Sequence, residues 1–341
     1  MIDFDFEALR RIGLNNTIIS RLAETSASAS GSQLCRITEY QRDRITLHDG
    51  IAEFPARALP RLLAEIPLCV GDWVIAETNS FGEVWISQRL SPMNQITRAD
   101  SPPIASNIDT ALLVMGLDGD FNLRRLERYL ALISGAEITP LIILSKPDIS
   151  SDVEEKIAAL NARIPPGTDY LLVNGTAPES VAQLESWLGA GQTICLLGSS
   201  GAGKSTLTNA LTGTGQATGG VRDGDNRGRH TTTARSMHIC LSGACIIDTP
   251  GLRSLSPETL SAAFDDIESL ARDCQFRDCH HDGEPGCAVA GHVDPDRLRN
   301  YHKLQREVRR NQQTASERIA ERNKWKSLMK SAAARSKQKR S

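Results

Sequence analysis

Gly198-Ser-Ser-Gly-Ala-Gly-Lys-Ser205 fits the pattern G-x-x-x-x-G-K-[ST], and its flanks decide how it is read. The apolar run 193–197 before it reads as a buried strand, and 206–211 after it as the opening of a helix. Strand, glycine loop and helix together turn backbone N–H groups and a helix N-terminus toward an anion. Gly198, Gly201 and Gly203 let the main chain wrap a polyphosphate without a Cβ in the way, and Ser199, Ser200, Ala202 and Thr206 complete the cradle. In such a loop Lys204 reaches the β- and γ-phosphates, and the Ser205 hydroxyl ligates Mg²⁺.

Upstream, from residue 106, long apolar runs alternate with helical spacing. Strands are expected at 108–114, 139–144 and 170–173, and helices at 121–133, 153–160 and 180–188. That alternation predicts an α/β domain with a mostly parallel sheet, whose ligands lie at the carboxyl ends of the strands. Ser145-Lys-Pro-Asp148 ends one of those strands and resembles N-K-x-D, the guanine-reading motif of GTPases. Asp148 would accept hydrogen bonds from the guanine N1–H and amine, a pair of donors that adenine lacks. The Lys146 stem would lie along the base. Ser145 stands where asparagine is usual; it can hydrogen-bond but is too short to span the same two loops, so a looser base site is expected. Asn174-Gly-Thr176 after the next strand is the candidate for the second base-contacting loop.

Downstream, Asp248-Thr-Pro-Gly251 follows an apolar strand and is D-x-x-G. Asp248 would hold Mg²⁺ through water, and the Gly251 N–H would sense the γ-phosphate. Between lies 213–229, rich in Gly, Asp, Asn and Arg, which reads as a flexible loop ending in His230-Thr-Thr-Thr233. Thr231 or Thr232 would complete the Mg²⁺ shell. The order is unusual: the base motif precedes the phosphate loop, whereas GTPases ordinarily run the other way. A circular permutation explains it, and is tolerable where a site is built of loops and domain termini lie close together. It also leads the segment after Gly251 into the next domain within about twenty residues.

The 341 residues suit two or three domains, and 40% hydrophobic content is enough for globular cores. No run of about 18 apolar residues occurs, so no transmembrane helix is expected. The acidic N-terminus lacks the apolar stretch of a signal peptide. The eight cysteines therefore sit in a reduced cytoplasm by default, most of them as small core hydrophobes. A net charge of −2 hides an asymmetry: from Arg297 onward fifteen Lys/Arg face three Glu, while the first 296 residues carry 24 Lys/Arg against 38 Asp/Glu. A basic tail on an acidic body suggests a polyanionic partner, through phosphate-backbone contact.

The remaining segments divide naturally. Residues 1–32 form an N-terminal extension with a short helix and a Ser/Ala/Gly linker at 26–32, to which no chemistry is assigned. Residues 33–100 give five short strands (34–38, 44–47, 51–54, 72–77 and 83–90) separated by turn signals, which suits a small barrel of the OB type and a contact with RNA. Residues 101–255 hold the nucleotide domain, 256–310 a metal-binding one and 311–341 the basic tail. In the fourth, Cys274-x4-Cys279-x-His281-x5-Cys287 supplies three thiolates and an imidazole, the donor set of a closed, structural Zn²⁺ site; His280 is the alternative nitrogen. A long helix follows from Pro295, with Leu298, Tyr301, Leu304 and Val308 as its apolar stripe.

The barrel, the permuted motifs with His230-Thr-Thr-Thr233, and Cys274-Gln-Phe-Arg-Asp-Cys279-His-His281 with Glu284-Pro-Gly-Cys287-Ala-Val289 together resemble the bacterial ribosome small-subunit-dependent GTPase A family. The resemblance covers about residues 33 to 310 and selects His281 over His280. It implies an α/β fold: a circularly permuted P-loop GTPase domain flanked by an N-terminal OB-like β-barrel and a C-terminal zinc-binding helical domain. It implies GTP/GDP, Mg²⁺ and one structural Zn²⁺ as cofactors, and the 30S ribosomal subunit and its 16S rRNA as partners. The implied function is a GTPase of late small-subunit assembly, stimulated by that subunit. Leu252 follows D-T-P-G and cannot orient water; the family's replacement is His230. Gly201 occupies the position where potassium-activated GTPases carry asparagine, which gives K⁺ activation no support. A monomer without membrane attachment is expected. The competing readings are an RNA-binding scaffold that uses nucleotide only for stability, and a P-loop ATPase or kinase.

Overall fold

The computed structural model describes residues 4–25, 31–41, 44–98, 101–214, 235–249, 260 and 263–312. Its centre is a sheet of five parallel strands and one antiparallel edge. β8 (Thr110–Gly116), β9 (Thr139–Ser145), β10 (Asp169–Val173), β11 (Thr193–Gly198) and β13 (Cys245–Asp248) run parallel in the order β10-β9-β8-β11-β13, and β12 (Arg235–Ile239) closes the edge. Register is fixed by pairs such as Leu197 with Leu113 and Leu196 with Asp248. All seven residues of β8 and all six of β11 are buried, as strands covered on both faces must be. Helices α4 (Leu123–Ser134), α5 (Val153–Asn161) and α7 (Lys204–Thr212) flank them; α4 starts where the Asn122 carboxamide oxygen caps Arg125 N at 3.0 Å. The helix expected over 180–188 is shorter, α6 (Pro178–Val181), and tightens into a 3₁₀ stretch over Ala182–Trp187.

The N-terminal strands close on themselves. β1 (Ser32–Gln41), β2 (Arg44–His48), β3 (Glu53–Ala58), β5 (Val84–Arg89) and β4 (Trp73–Thr78) follow in that order, and β4 returns to β1, so the five form a barrel. The third strand begins at Glu53 rather than at residue 51, because Asp49 Oδ1 accepts the Ile51 and Ala52 N–H groups at 2.8 Å and holds them in a turn. Between β3 and β4 lies a short helix, α3 (Pro60–Glu65), and after the barrel comes a hairpin, β6 (Gln95–Arg98) with β7 (Ser101–Ser106).

Barrel and parallel sheet are one continuous ladder. β1 pairs with β12 through Glu39–Ser236 and Tyr40–Arg235. Behind that junction the N-terminal helices α1 (Phe6–Arg10) and α2 (Asn16–Ala23) bury Leu9, Ile12 and Ile18 completely. They are wedged between barrel and sheet: a Cβ on Gly50 would lie 2.6 Å from Ala8 C, and one on Gly191 would lie 2.4 Å from Arg10 O. The extension with no chemistry to its name is thus part of the core.

At the other side, α9 (Pro295–Gln312) packs on α4, and α8 (Asp265–Ala271) is tied to α9 where Asp266 accepts from Arg297. Phe264, Ile267, Val289, Tyr301, Leu304 and Val308 join the main apolar cluster, so three residues of the stripe expected on the last helix are buried there and Leu298 is partly buried against it. No helix among the described residues is long and apolar enough to cross a membrane. Residues 313–341 of the basic tail lie outside the described residues.

A candidate nucleotide site and metal centre

β11 delivers the glycine loop to the carboxyl edge of the sheet. It can pass β8 so closely only because residue 198 is glycine: a Cβ there would lie 2.5 Å from Val114 O. Gly201 and Gly203 take φ of 84° and 96°, values open to glycine and costly for other residues. α7 begins at Lys204, placing Ser205 and Thr206 in its first turn. The Lys204 ammonium folds onto Gly198 O (2.9 Å) and Ser199 O (2.7 Å). Burial lowers its pKa, which Asp248 and Asp120 partly offset. Asp248 ends β13 beside Leu196; its carboxyl is raised by burial, against the pull of Lys204 and His238. A half-buried lysine and a buried carboxylate at one end of a parallel sheet form an electrostatic pair for which a phosphate and a divalent cation are the matching ligands.

The base motif, 50 residues earlier in sequence, lies beside this loop. Ser145 Oγ donates to Ala202 O at 2.6 Å, and Lys146 Nζ donates to Gly201 O at 2.7 Å. The serine thus reaches one phosphate-loop carbonyl, and the neighbouring lysine reaches the one before it. Ser145, Lys146, Asp148, Asn174, Gly175, Thr176 and Thr206 line one open cavity of about 170 Å³. Asn174 Oδ1 accepts Thr176 N (3.0 Å) and Thr176 Oγ1 (2.7 Å), so its side chain shapes its own turn. Gly175 brings that turn within 3.4 Å of Thr206, measured from the Cβ it lacks. Ser200 stands exposed at the loop crest. His230, Thr231, Thr232 and Gly251, together with Leu252, lie outside the described residues.

Reading the sequence missed three groups at this edge. Thr249 Oγ1 donates to Leu196 O at 2.7 Å and pins the start of D-T-P-G to β11. Asp118 and Asp120, in the loop after β8, touch the base motif and the phosphate loop. The signal was available, since that loop too leaves a carboxyl end of the parallel sheet.

The second cluster is separate. The ligand atoms of Cys274, Cys279, His281 and Cys287 all lie within 4.8 Å of one another. His281 Nδ1 is 3.6 Å from Cys274 Sγ and 3.5 Å from Cys287 Sγ, while His280 is held by its backbone N–H on Glu284 Oε1. His281 takes φ of 61°, a left-handed conformation that a β-carbon disfavours and the cluster imposes. Ala288 N and Ala290 N donate to the sulfurs of Cys274 and Cys287 at 3.3 and 3.2 Å. Against the penalty of burial, such donors and His281 lower the Cys287 thiol to about 7, while burial and the neighbouring thiols raise Cys279 to about 12. That split is what crowded thiols show, since the first to ionise disfavours the next; a dication at their centre reverses the repulsion. Three thiolates and one imidazole in this spacing fit Zn²⁺ with no open position.

A parallel sheet with a glycine loop, a base motif reached before it in sequence and a D-x-x-G strand beside it defines a circularly permuted P-loop GTPase. The RsgA GTPase family model matches residues 87–258. The chain is 42% identical over 303 residues to the small ribosomal subunit biogenesis GTPase RsgA of Xanthomonas axonopodis pv. citri, covering 85% of this chain and 78% of that one. It is 43% identical over 302 residues to the protein of the same name in Xanthomonas oryzae pv. oryzae, with the same coverage. The chain belongs to the RsgA GTPase family. Among solved structures it superposes on YjeQ from Thermotoga maritima with a TM-score of 0.60 at 22% identity, over 81% of this chain and 98% of that one, a likeness of fold. It superposes on YloQ, described as a circularly permuted GTPase, with a TM-score of 0.57 at 25% identity, over 85% and 99%.

Proposed function

We propose that this chain hydrolyses GTP in the biogenesis of the small ribosomal subunit, as the name of its Xanthomonas relatives states for them. The observation that carries the reading is the pair of hydrogen bonds from Ser145 and Lys146 to Ala202 and Gly201, which joins a guanine-type motif to a phosphate loop as one site. In that site the Asp148 carboxylate accepts the guanine donors and the 174–176 turn backs the base. The backbone N–H groups of 198–203 and Lys204 hold the phosphates. Ser205 and Asp248 would hold Mg²⁺, with Thr231 or Thr232 and the Gly251 N–H added when the γ-phosphate is present. Bound there, the ion would supply positive charge against the negative charge that develops on the phosphates. Water attacks the γ-phosphorus in line, and His230 is the group proposed to orient it.

The flanking units suit a ribosomal partner. The 1-2-3-5-4 barrel order agrees with an OB-type module over 33–100. Its outer face carries Arg57 stacked 5.8 Å over Trp85 and an exposed Phe81, chemistry that suits RNA bases, and the basic tail over 311–341 suits the 16S backbone. Cys274, Cys279, His281 and Cys287 would hold one structural Zn²⁺ in the unit over 256–310. A monomeric cytoplasmic protein with GTPase boundaries near 101 and 255 completes the proposal.

The test is turnover of GTP and of ATP, with and without 30S subunits. Stimulation of GTP hydrolysis alone is expected. Equal use of ATP would reassign the chemistry to a general P-loop ATPase, and GTP hydrolysis indifferent to 30S would remove the ribosomal partner.

A further inference from the structure

The loop between β8 and α4 carries two carboxylates, Asp118 and Asp120, that do not line the base cavity. The strand ends at Gly116, and Leu117-Asp-Gly-Asp-Phe-Asn122 turns into the helix. The Asp118 carboxylate packs onto the bare backbone of Gly116, where a Cβ would lie 2.5 Å from its Oδ1 and displace it. That oxygen accepts the Asp120 N–H at 3.0 Å, which folds the loop on itself and aims Oδ2 at Lys146 Nζ, 2.7 Å away. Two residues further on, Asp120 Oδ1 accepts Ser199 Oγ at 2.6 Å and pairs with Arg125 at the same distance, anchoring the loop to the first turn of the phosphate cradle. Lys146 itself is strained: it takes φ of 61° and ψ of 42° immediately before Pro147. Burial alone would raise the Asp118 carboxyl; the ammonium overrides it and holds the group below the usual carboxylate range.

Resting on the GTPase reading above, we propose that Asp118 is a positioning residue of the nucleotide site, holding the Lys146 head so that its methylene stem stands as a fixed wall for the base. A lysine side chain free at its tip must be ordered when the base arrives, and the binding free energy is reduced by that ordering. Here the head already has two acceptors, Asp118 Oδ2 and Gly201 O, each at 2.7 Å. The left-handed backbone at residue 146 and the shorter Ser145 make this outside support useful, since neither holds the lysine in place. Asp118 does not touch the ligand; it acts through Lys146.

The measurement is calorimetric affinity for GTP and GDP, for the full chain carrying Asp118→Ala, Asp118→Asn, Lys146→Ala and the double substitution Asp118→Ala/Lys146→Ala. Asp118→Ala is expected to weaken both nucleotides about tenfold, the size of coupling seen between residues in contact. Asp118→Asn keeps an accepting oxygen and should restore part of that loss. In the Lys146→Ala background, removing Asp118 should change nothing further. Additive losses in the two single variants would overturn the proposal, because they would mean that Asp118 acts on general stability. Unchanged affinity in Asp118→Ala, with tight binding by the unsubstituted chain, would also overturn it while leaving the GTPase reading intact. Failure of the unsubstituted chain to bind GTP would sink that reading instead.

Discussion

The nucleotide domain is joined on one side to the barrel and on the other to the C-terminal unit, and the two joints are made of different things. The barrel joint is largely main chain. β1 continues the sheet through β12, and the fully buried Arg36 donates to Gly71 O (3.2 Å), Asn107 O (3.1 Å), Thr193 Oγ1 (2.9 Å) and Ile12 O. None of those acceptors is a carboxylate. The C-terminal joint is an apolar centre ringed by charge. Glu127 on α4, 3% exposed, takes both ends of the Arg163 guanidinium at 3.0 Å, Arg297 at 2.9 Å and Asn300 at 2.6 Å. Around it Arg297 pairs with Asp266, Arg163 with Asp296, and Arg128 with both oxygens of Glu307. A joint of carbonyls does not titrate and is little screened by salt; a ring of ion pairs does and is. Salt and pH therefore have little to act on at the barrel joint, and the unit after D-T-P-G is the one that solution conditions can loosen.

The largest test of that contrast is Arg36→Met. It removes the donor to four acceptors in four stretches of chain, of which Gly71 O keeps the Asn107 Nδ2 donor at 2.9 Å, and each group left unsatisfied costs about 1–3 kcal/mol, so a loss of about 4 kcal/mol in urea unfolding is expected, with barrel and sheet melting together. A loss under about 1 kcal/mol would mean that the β1–β12 ladder carries the joint alone. Next comes Glu127→Gln, which keeps the volume and removes the charge between two buried guanidinium groups. About 3 kcal/mol is expected, with protease sensitivity appearing first in α9 while the barrel stays protected. Simultaneous loss of barrel protection would erase the distinction between the joints.

The smallest effect is that of pH. The Asp296 carboxyl is held well below its usual range by Arg124, against partial burial, with Arg163 and Arg299 helping. Its folded value being depressed, its contribution is complete above the unfolded value near 3.9 and is lost as pH falls through the lower one. Solvent reaches this group, so the effect is held to about 1 kcal/mol or less. Hydrogen-exchange protection of α9 should fall below pH about 4 before that of β1 and β12 does. Equal loss in both places would show that the charge ring does not govern the C-terminal joint.

Much of the site was legible before any fold was known. The glycine loop, Ser145–Asp148 and Asp248 each depend on a few adjacent residues and the strand or helix that carries them, and the carboxyl-edge rule brings such loops together whatever their order in sequence. The Cys274–Cys287 cluster was legible because its four donors lie within one short segment. The third barrel strand was misplaced by two residues because the Asp49 side chain competes with the ladder for Ile51 and Ala52. Asp118 was passed over because its partner, Lys146, lies 28 residues away.

What the sequence determined alone is what short-range geometry determines: glycines where the main chain must turn left-handed or approach closely, periodicity that sorts strand from helix, and motif order that reveals the permutation. The tertiary structure decided the rest. Leu9, Ile12 and Ile18 belong to the core, although their segment reads locally only as an extension with a short helix. Arg36 meets Thr193 across 157 residues, and Glu127 meets Arg297 across 170. A side chain's local sequence states what it can bond to; only the packing of distant segments states which partner stands within 3 Å, and buried polar groups must find one.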